Sequence, residues 1–178
     1  ILNICKNIVI GVSFYKDLSL RSKMFKDLKK AGFKLPVICS PRSHVSLGSK
    51  IDEGSQIFHN VTINKNVIIG KNCIINSHAL IEHDVLIDQN SQVSTGVIIN
   101  GGCVIKESSF IGSGSILREN LVIKIDKDGI LEFGDQAIEP EILAAKLKKE
   151  FTLNKNKIIE IHADKNIEFQ LFSNIITL

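Results

Sequence analysis

The sequence predicts a mainly β fold organised around a parallel β-solenoid. Three features predict it: aliphatic residues at a strict spacing of six, a small or modest residue four positions after each of them, and frequent Asn, Asp and Gly between them. Neither the 3.6-residue period of a helix nor the two-residue period of a strand explains a period of six. A solenoid does, because each hexad can form one short strand and one turn.

The aliphatic series continues without a break from Val45 to Leu117, and three hexads close one coil. Residues 45–117 therefore predict about four stacked turns. Cys73 and Cys103 fall at the second inward position of their hexads, so we expect them to be small core side chains. Tight corners with left-handed or otherwise restricted backbone are predicted at the intervening Asn, Asp and Gly residues. The aliphatic series comprises Val45, Ile51, Ile57, Ile63, Ile69, Ile75, Ile81, Ile87, Val93, Ile99, Ile105, Ile111 and Leu117, and the corner residues include Asn66, Gly70, Asn72, Asp88, Asn90, Gly96 and Gly102.

Composition limits the classes of function that the chain can have. The four cysteines are far apart and form no CxxC pair, which favours reduced thiols and a cytoplasmic location. No apolar run approaches the roughly 20 residues that span a bilayer. The N-terminus lacks both an initiating Met and the features of a signal peptide, so the chain is compatible with a fragment. A net charge of +3 without tryptophan or aromatic interleaving does not predict a nucleic-acid partner.

The hexad pattern resembles the hexapeptide-repeat acyltransferases. That resemblance implies a left-handed parallel β-helix and a homotrimer, although the general rule for parallel crossovers favours the right-handed form. Upstream, residues 1–44 contain a strand, an amphipathic helix with Met24, Phe25 and Leu28 on one face, and a second strand. They resemble the latter half of the Rossmann-like domain in the sugar O- and N-acetyltransferases of the sialic acid and bacillosamine pathways. The earlier half, which helps to bind the nucleotide sugar in that family, is absent.

The stretch IINSHALIEHDVLI at residues 74–87 resembles the signature of the same sugar acetyltransferases. The resemblance implies that His83 is the catalytic base, that Glu82 is its carboxylate neighbour, and that Asn76 and Asp84 bind substrate. Imidazole suits the chemistry, because a proton must leave a sugar hydroxyl or amine as it attacks the thioester of acetyl-CoA. A neighbouring carboxylate can orient the ring and stabilise the imidazolium. The implied acceptor is an amino sugar or a sialic acid-type sugar, free or nucleotide-linked.

The residues expected to contact the acyl donor, acetyl-CoA, differ from the sequence motif of that family. Nine residues after the base, the family has a second His in a segment like HxxPG, whereas this chain has QVSTG with Gln92 in that place. Glutamine can form hydrogen bonds but cannot titrate. Gln92, Gly96, Gly101 and Gly102 are the candidate contacts to acetyl-CoA, and the glycines could equally be plain turn residues.

A metal site is the alternative use of the histidines. The five-residue spacing of His78 and His83 resembles that of two zinc ligands in the γ-class carbonic anhydrases, which share the β-helix. Zinc needs a further protein ligand, and His59 is the only nearby candidate, at an offset of 19 residues from His78 that does not fit. We therefore expect no metal, and we expect His78 to be a solvated residue.

The hexad rule stops after Leu117, and residues 45–118 are therefore predicted to be a domain separate from 119–178. The tail reads as two strands, a helix opened by Pro140, and a third strand. This order resembles the periplasmic domain of the ExbD and TolR family, without the transmembrane helix that carries the proton-binding Asp. The competing functional hypothesis is therefore a noncatalytic protein in which a degenerate β-helix displays an ExbD-like module.

Overall fold

The computed structural model describes residues 5–14 and 18–123 together with three short strands further along the chain. One helix, α1, spans Leu18–Lys30. No helix among these residues has the length and apolar character needed to cross a membrane. The strands are β1 Ile38–Cys39, β2 His44–Val45, β3 Lys50–Ile51, β4 Gln56–Ile57, β5 Thr62–Ile63, β6 Ile68–Ile69, β7 Ile74–Ile75, β8 Leu80–Ile81, β9 Leu86–Ile87, β10 Gln92–Val93, β11 Ile98–Ile99, β12 Val104–Ile105, β13 Phe110–Ile111, β14 Ile116–Leu117, β15 Val122–Ile123, β16 Glu132–Phe133, β17 Gln136–Ala137 and β18 Glu160–Ile161.

All strands except β16 and β17 stack into three parallel sheets, which we call faces 1, 2 and 3. Face 1 contains β1, β4, β7, β10 and β13; face 2 contains β2, β5, β8, β11 and β14; face 3 contains β3, β6, β9, β12, β15 and β18. Each strand of the solenoid pairs with the strand three places later in register, as Ile81 does with Ile99 and Ile87 with Ile105. The predicted parallel solenoid of about four turns over residues 45–117 is confirmed. It also continues beyond that range, to β1 at one end and β15 at the other.

From β2 to β14, the second residue of each strand points into the solenoid. From Ile57 to Leu117 these aliphatic side chains are essentially inaccessible to solvent, whereas Val45 and Ile51, in the outermost coils, are only partly buried. Cys73 and Cys103 lie in the same core, as predicted. Burial raises the pKa of the Cys73 thiol to about 12 and raises that of Cys103 as well, so both thiols stay protonated and unreactive at neutral pH.

The corners repeat one backbone conformation. Every sixth residue from Gly48 to Asn120 has a positive φ, and Asn, Gly, Asp, His or Ser occupies these positions. Gly70, which was expected at such a corner, is not among them. Its lack of a side chain serves a close approach instead, because a Cβ there would lie 2.7 Å from the backbone nitrogen of Gln89 in the next coil.

The N-terminal segment packs on face 1. The buried guanidinium of Arg21, on α1, donates to the carbonyl oxygens of Ile10, Val12 and Gly54. Gln56, on β4, donates its side-chain amide to the Ile10 carbonyl oxygen at 2.7 Å. These bonds tie the extended residues 10–14 and the helix to the solenoid.

The predicted helix between two strands is confirmed in part. Helix α1 is present, but the strand after it, β1, is the first strand of face 1 and pairs with β4. The hexad rule did not reveal this, because no aliphatic residue of the series precedes Val45. The Rossmann-like assignment of residues 1–44 and the boundary at residue 45 stay predictions.

Most of the predicted tail domain, including the helix that opens at Pro140, lies outside the described residues. Within them, Leu121 is buried in the solenoid core and β15 continues face 3. Strand β18 pairs in parallel with β15, and β16 pairs antiparallel with β17. The solenoid thus extends past residue 118, whereas the fold of residues 124–178 as a separate domain stays a prediction.

Because inward and outward side chains alternate, alanine substitutions at two neighbouring isoleucines of β6 should lower the free energy of unfolding by different amounts. Ile69 is 0% exposed and Ile68 is 45% exposed. Ile69→Ala should lower the free energy of unfolding by about 2–5 kcal/mol, because it leaves a cavity in a packed core. Ile68→Ala is the matched control and should cost about 1 kcal/mol or less, as measured by urea denaturation. Equal losses from the two substitutions would contradict the assigned faces.

Candidate functional site

His83 lies at the corner between faces 2 and 3, directly after β8. We call this the His83 corner; it comprises residues 46–49, 64–67, 82–85, 100–103 and 118–121 of successive coils. The His83 side chain is 65% exposed, so it is accessible to small molecules in solution. Its backbone is fixed nonetheless, because the carbonyl oxygen accepts a hydrogen bond from Gly102 N–H of the next coil at 3.1 Å.

The imidazole is paired with the carboxylate of Asp84. His83 Nδ1 and Asp84 Oδ2 are 2.8 Å apart. An ionised carboxylate can only accept hydrogen bonds, so Nδ1 is the donor. In the neutral ring this leaves the lone pair on Nε2, and Nε2 is therefore the atom that can accept a proton from a substrate.

Asp84 is itself fixed by its position in the coil. Its φ of 59° belongs to the corner conformation, and its Oδ1 accepts a hydrogen bond from Asn66 Nδ2 at 2.9 Å. The Asn66 bond, followed by the His83 bond, lowers the pKa of the Asp84 carboxyl. A lowered pKa in the folded state means that the carboxylate favours folding above its unfolded pKa. That contribution is lost as the pH falls through the folded value, so the pair is intact at neutral pH.

Glu82 does not contact His83. Its Oε2 accepts a hydrogen bond from Asn64 Nδ2 at 2.8 Å, one coil earlier. In this structure His83 is thus paired with Asp84 and not with Glu82, and a catalytic role for Glu82 stays a prediction. The reason for the pairing is local: His83 and Asp84 are the two turn residues of the corner, whereas Glu82 precedes the turn and contacts Asn64 of the preceding coil.

Gly101 and Gly102 lie in the next coil of the same corner. Gly102 has a φ of 72°, which accounts for glycine there. Gly101 is buried and lies against the imidazole of His83. Both candidate contacts to acetyl-CoA thus lie beside His83, but Gly101 already has an intramolecular neighbour.

Asn76 and Gly96 lie at a different corner, between faces 1 and 2. Asn76 Oδ1 accepts a hydrogen bond from Ser77 N–H at 2.8 Å, and Gly96, with a φ of 68°, has open space beside its Cα. In each coil a strand of face 2, such as β8, separates this corner from the His83 corner. One chain therefore does not bring these two candidates together with His83.

Gln92 lies on face 1 with a side chain that is almost inaccessible. The residue is 6% exposed, and its Oε1 accepts a hydrogen bond from Phe14 N–H at 3.1 Å. The structure thus gives Gln92 a contact within the chain, and its role as a contact to the acyl donor stays a prediction. The N-terminal segment covers Gln92, and no periodicity in the sequence signals a contact between residues 78 positions apart.

His78 occupies a corner position with a φ of 63°, and its Nε2 lies 3.5 Å from Asn60 Nδ2. It lies at the corner between faces 1 and 2, so it is not on the same corner as His83. His59 is one coil before His78 and contacts Ser40 Oγ through Nδ1 at 2.6 Å. Among the residues that the structure describes, no three His, Cys, Asp or Glu side chains are grouped closely enough to bind a metal ion.

Two residues that bind carboxylates of the candidate site, namely Asn64 and Asn66, were not identified from the sequence. Each lies one coil before the carboxylate that it binds, at an offset of 18 residues from Glu82 and Asp84. This offset of 18 residues equals three hexads and can therefore be read from the sequence. Applied to side chains as well as to strands, it would have paired Asn64 with Glu82 and Asn66 with Asp84.

The sequence and fold are similar to known acyltransferases. The bacterial transferase hexapeptide (six repeats) family matches residues 48–83. The acetyltransferase domain of PglB from Neisseria gonorrhoeae FA1090, also solved in complex with acetyl coenzyme A, aligns at 27% identity and a TM-score of 0.62. A perosamine N-acetyltransferase variant from Caulobacter crescentus, in complex with CoA and GDP-perosamine, aligns at 24% identity over 75% of this chain and 68% of that chain, with a TM-score of 0.47.

The match to the Neisseria domain covers 66% of this chain and 56% of that domain. The chain therefore spans little more than half the length of this relative. No curated protein matches the chain. Neither the family match nor the Neisseria relative supports the ExbD and TolR resemblance of residues 121–178.

The contact between Gln92 and Phe14 predicts how the N-terminal segment responds to mutation. Gln92→Leu keeps the volume roughly similar but leaves the buried Phe14 N–H without its acceptor, which costs about 1–3 kcal/mol. We expect amide exchange at Phe14 to accelerate by about tenfold or more, as measured by hydrogen exchange. Gln89→Leu, at an exposed corner, is the control and should leave Phe14 unchanged. Unchanged protection at Phe14 in Gln92→Leu would contradict the docking role.

Proposed function

We propose that this chain is an acetyl-CoA-dependent acetyltransferase that acts on an amino sugar or a sialic acid-type sugar, free or nucleotide-linked. The observation that carries the proposal is the pair formed by His83 Nδ1 and Asp84 Oδ2 on an exposed corner of the solenoid. The likeness to the acetyltransferase domain from Neisseria, at 27% identity, supports the reaction class. In this proposal acetyl-CoA is a co-substrate, and the protein works in the cytoplasm, where acetyl-CoA is available.

The transfer is direct, and each residue of the His83 corner has a defined task. The acceptor amine or hydroxyl attacks the thioester carbonyl carbon while His83 Nε2 removes its proton. Asp84 stabilises the imidazolium that forms and keeps Nδ1 as the protonated nitrogen. The tetrahedral intermediate then expels the CoA thiolate, the acetyl group stays on the acceptor, and the imidazolium returns its proton to the leaving sulfur or to water.

We further propose that the active protein is a left-handed, trimeric β-helix. Outward aliphatic side chains flank the His83 corner on both sides, with Leu80 and Ile98 on face 2 and Leu86 and Val104 on face 3. Apolar surface of this kind beside a polar site is typical of an interface. A neighbouring subunit would also supply the polar residues that one chain keeps apart from His83, namely Asn76 and Gly96 on its corner between faces 1 and 2.

The activity prediction concerns the base. Positioned general-base catalysis contributes about 10² to 10⁴ in rate, so His83→Ala should reduce acetyl transfer on that scale without changing the melting temperature appreciably. The assay is thiol release from acetyl-CoA with a panel of free and nucleotide-linked amino sugars. His78→Ala is the matched control, because His78 is also an exposed corner histidine, and it should have little effect.

The two carboxylates beside His83 refine this test. Asp84→Asn should lower kcat strongly, whereas Glu82→Gln should have a smaller effect because Glu82 contacts Asn64 and not the ring. Equal small losses from His83→Ala and His78→Ala would contradict His83 as the base. Absence of transfer to every acceptor in the unmodified protein would instead favour a noncatalytic, interacting β-helix.

The assembly prediction uses Ile98, which faces outward on β11 beside the His83 corner. Light scattering at micromolar concentration should give the mass of a trimer for the unmodified protein. Ile98→Glu should shift it toward the monomer and lower activity, because a charge in an apolar interface lacks a partner. Leu20→Glu, on an exposed position of α1, is the control and should remain trimeric. A strictly monomeric unmodified protein would contradict the shared site.

A further inference from the structure

The first turn residues of the His83 corner form a column along the solenoid. In successive coils they are Leu47, Lys65, His83, Gly101 and Glu119. Neighbours in this column are one coil apart, so each residue lies beside its counterpart in the next coil. His83 is the one member of the column whose next residue has no side chain.

The imidazole of His83 lies in the space that a side chain on Gly101 would occupy. A Cβ built on Gly101 would lie 2.7 Å from Cε1, 2.8 Å from Nε2 and 3.2 Å from Nδ1 of His83. Real Cβ atoms do not approach other heavy atoms at the two shorter distances, so the ring occupies the space that any other residue would fill. Three ring atoms, including both nitrogens, lie within 3.2 Å of that point, so a side chain on residue 101 would displace the ring from the orientation that it has here.

Conformation does not explain glycine at this position. The corner residues that need a left-handed backbone are Asp84 and Gly102, whereas the φ of Gly101 lies outside that region. The backbone of Gly101 would accept an alanine. The steric requirement of His83 is therefore the reason that the described structure provides for glycine at this point of the coil.

We infer that Gly101 is a positioning residue for the reaction, and that its missing side chain forms the seat on which the His83 imidazole is held for proton transfer. The seat and Asp84 act together. Asp84 fixes Nδ1 by a hydrogen bond, and Gly101 allows the ring to lie back against the next coil with Nε2 in a defined place. This inference rests on the proposed function, and it assigns Gly101 a role that differs from contact with acetyl-CoA.

The first experiment is independent of activity. In protein labelled with 13C-histidine, the Cε1–H of His83, assigned by its loss in His83→Ala, should show a nuclear Overhauser contact to the α-protons of Gly101. Gly101→Ala should remove the ring from its seat and shift this resonance toward its position in Asp84→Asn, while the melting temperature stays the same or rises. Gly11→Ala is the matched control, because Gly11 has no atom within 4 Å of its Cβ position and no positive φ. Absence of the contact, or an unmoved resonance in Gly101→Ala, would overturn the inference.

The second experiment separates positioning from donor binding. Gly101→Ala should lower kcat by about 10²-fold, since a displacement of about 1 Å can cost that much, with the KM for acetyl-CoA unchanged within about twofold. In a His83→Ala background, the same substitution should cause no further loss. An increase in the KM for acetyl-CoA of equal size in both backgrounds would overturn the inference and identify Gly101 as a donor contact.

The experiments also distinguish an error in the proposed function from an error in the role of Gly101. If His83→Ala leaves acetyl transfer unchanged, His83 is not the base and Gly101 positions no catalytic group, whatever the resonance shows. If His83→Ala abolishes transfer while Gly101→Ala leaves kcat unchanged, the base is correct and the seat is wrong.

Discussion

The pairing of each strand with the strand of the next coil, 18 residues along the chain, is the constraint on which the rest of the structure depends. Ile63 pairs with Ile81, and Ile81 with Ile99, through backbone hydrogen bonds that leave no freedom of register. Because every coil has the same length, inward side chains always meet inward side chains, and corners always meet corners. The aliphatic core and the left-handed corner residues follow from this one offset.

The candidate site obeys the same constraint. Asn66 supports Asp84 from one coil below, and Gly101 seats His83 from one coil above, each at the same offset. Only the bond between His83 and Asp84 runs along the chain, between adjacent turn residues. A rigid stack thus holds in place an exposed histidine that has few side-chain contacts of its own, which is what the proposed general base needs.

The sequence predicted what repeats and failed where a contact lies outside the repeat. The core, the corners and the position of His83 on a corner follow from the period of six, since each hexad imposes the same geometry. The choice between Glu82 and Asp84 does not, because both flank His83 and the turn geometry decides which carboxylate reaches Nδ1. The burial of Gln92 was also unpredictable, since it depends on a segment that begins far away in sequence and docks on face 1 through Arg21 and Gln56.

Gln92 shows why a departure from a family pattern need not lie in the chemistry. A side chain covered by Phe14 and the N-terminal segment must satisfy a backbone N–H without bringing a charge into an apolar contact. A neutral amide does this at every pH, whereas a histidine would incur a desolvation cost whenever it became protonated. The substitution therefore fits the docking of the N-terminal segment on face 1. His83 and Asp84 lie on the opposite corner of the solenoid, and neither contacts the side chain at position 92.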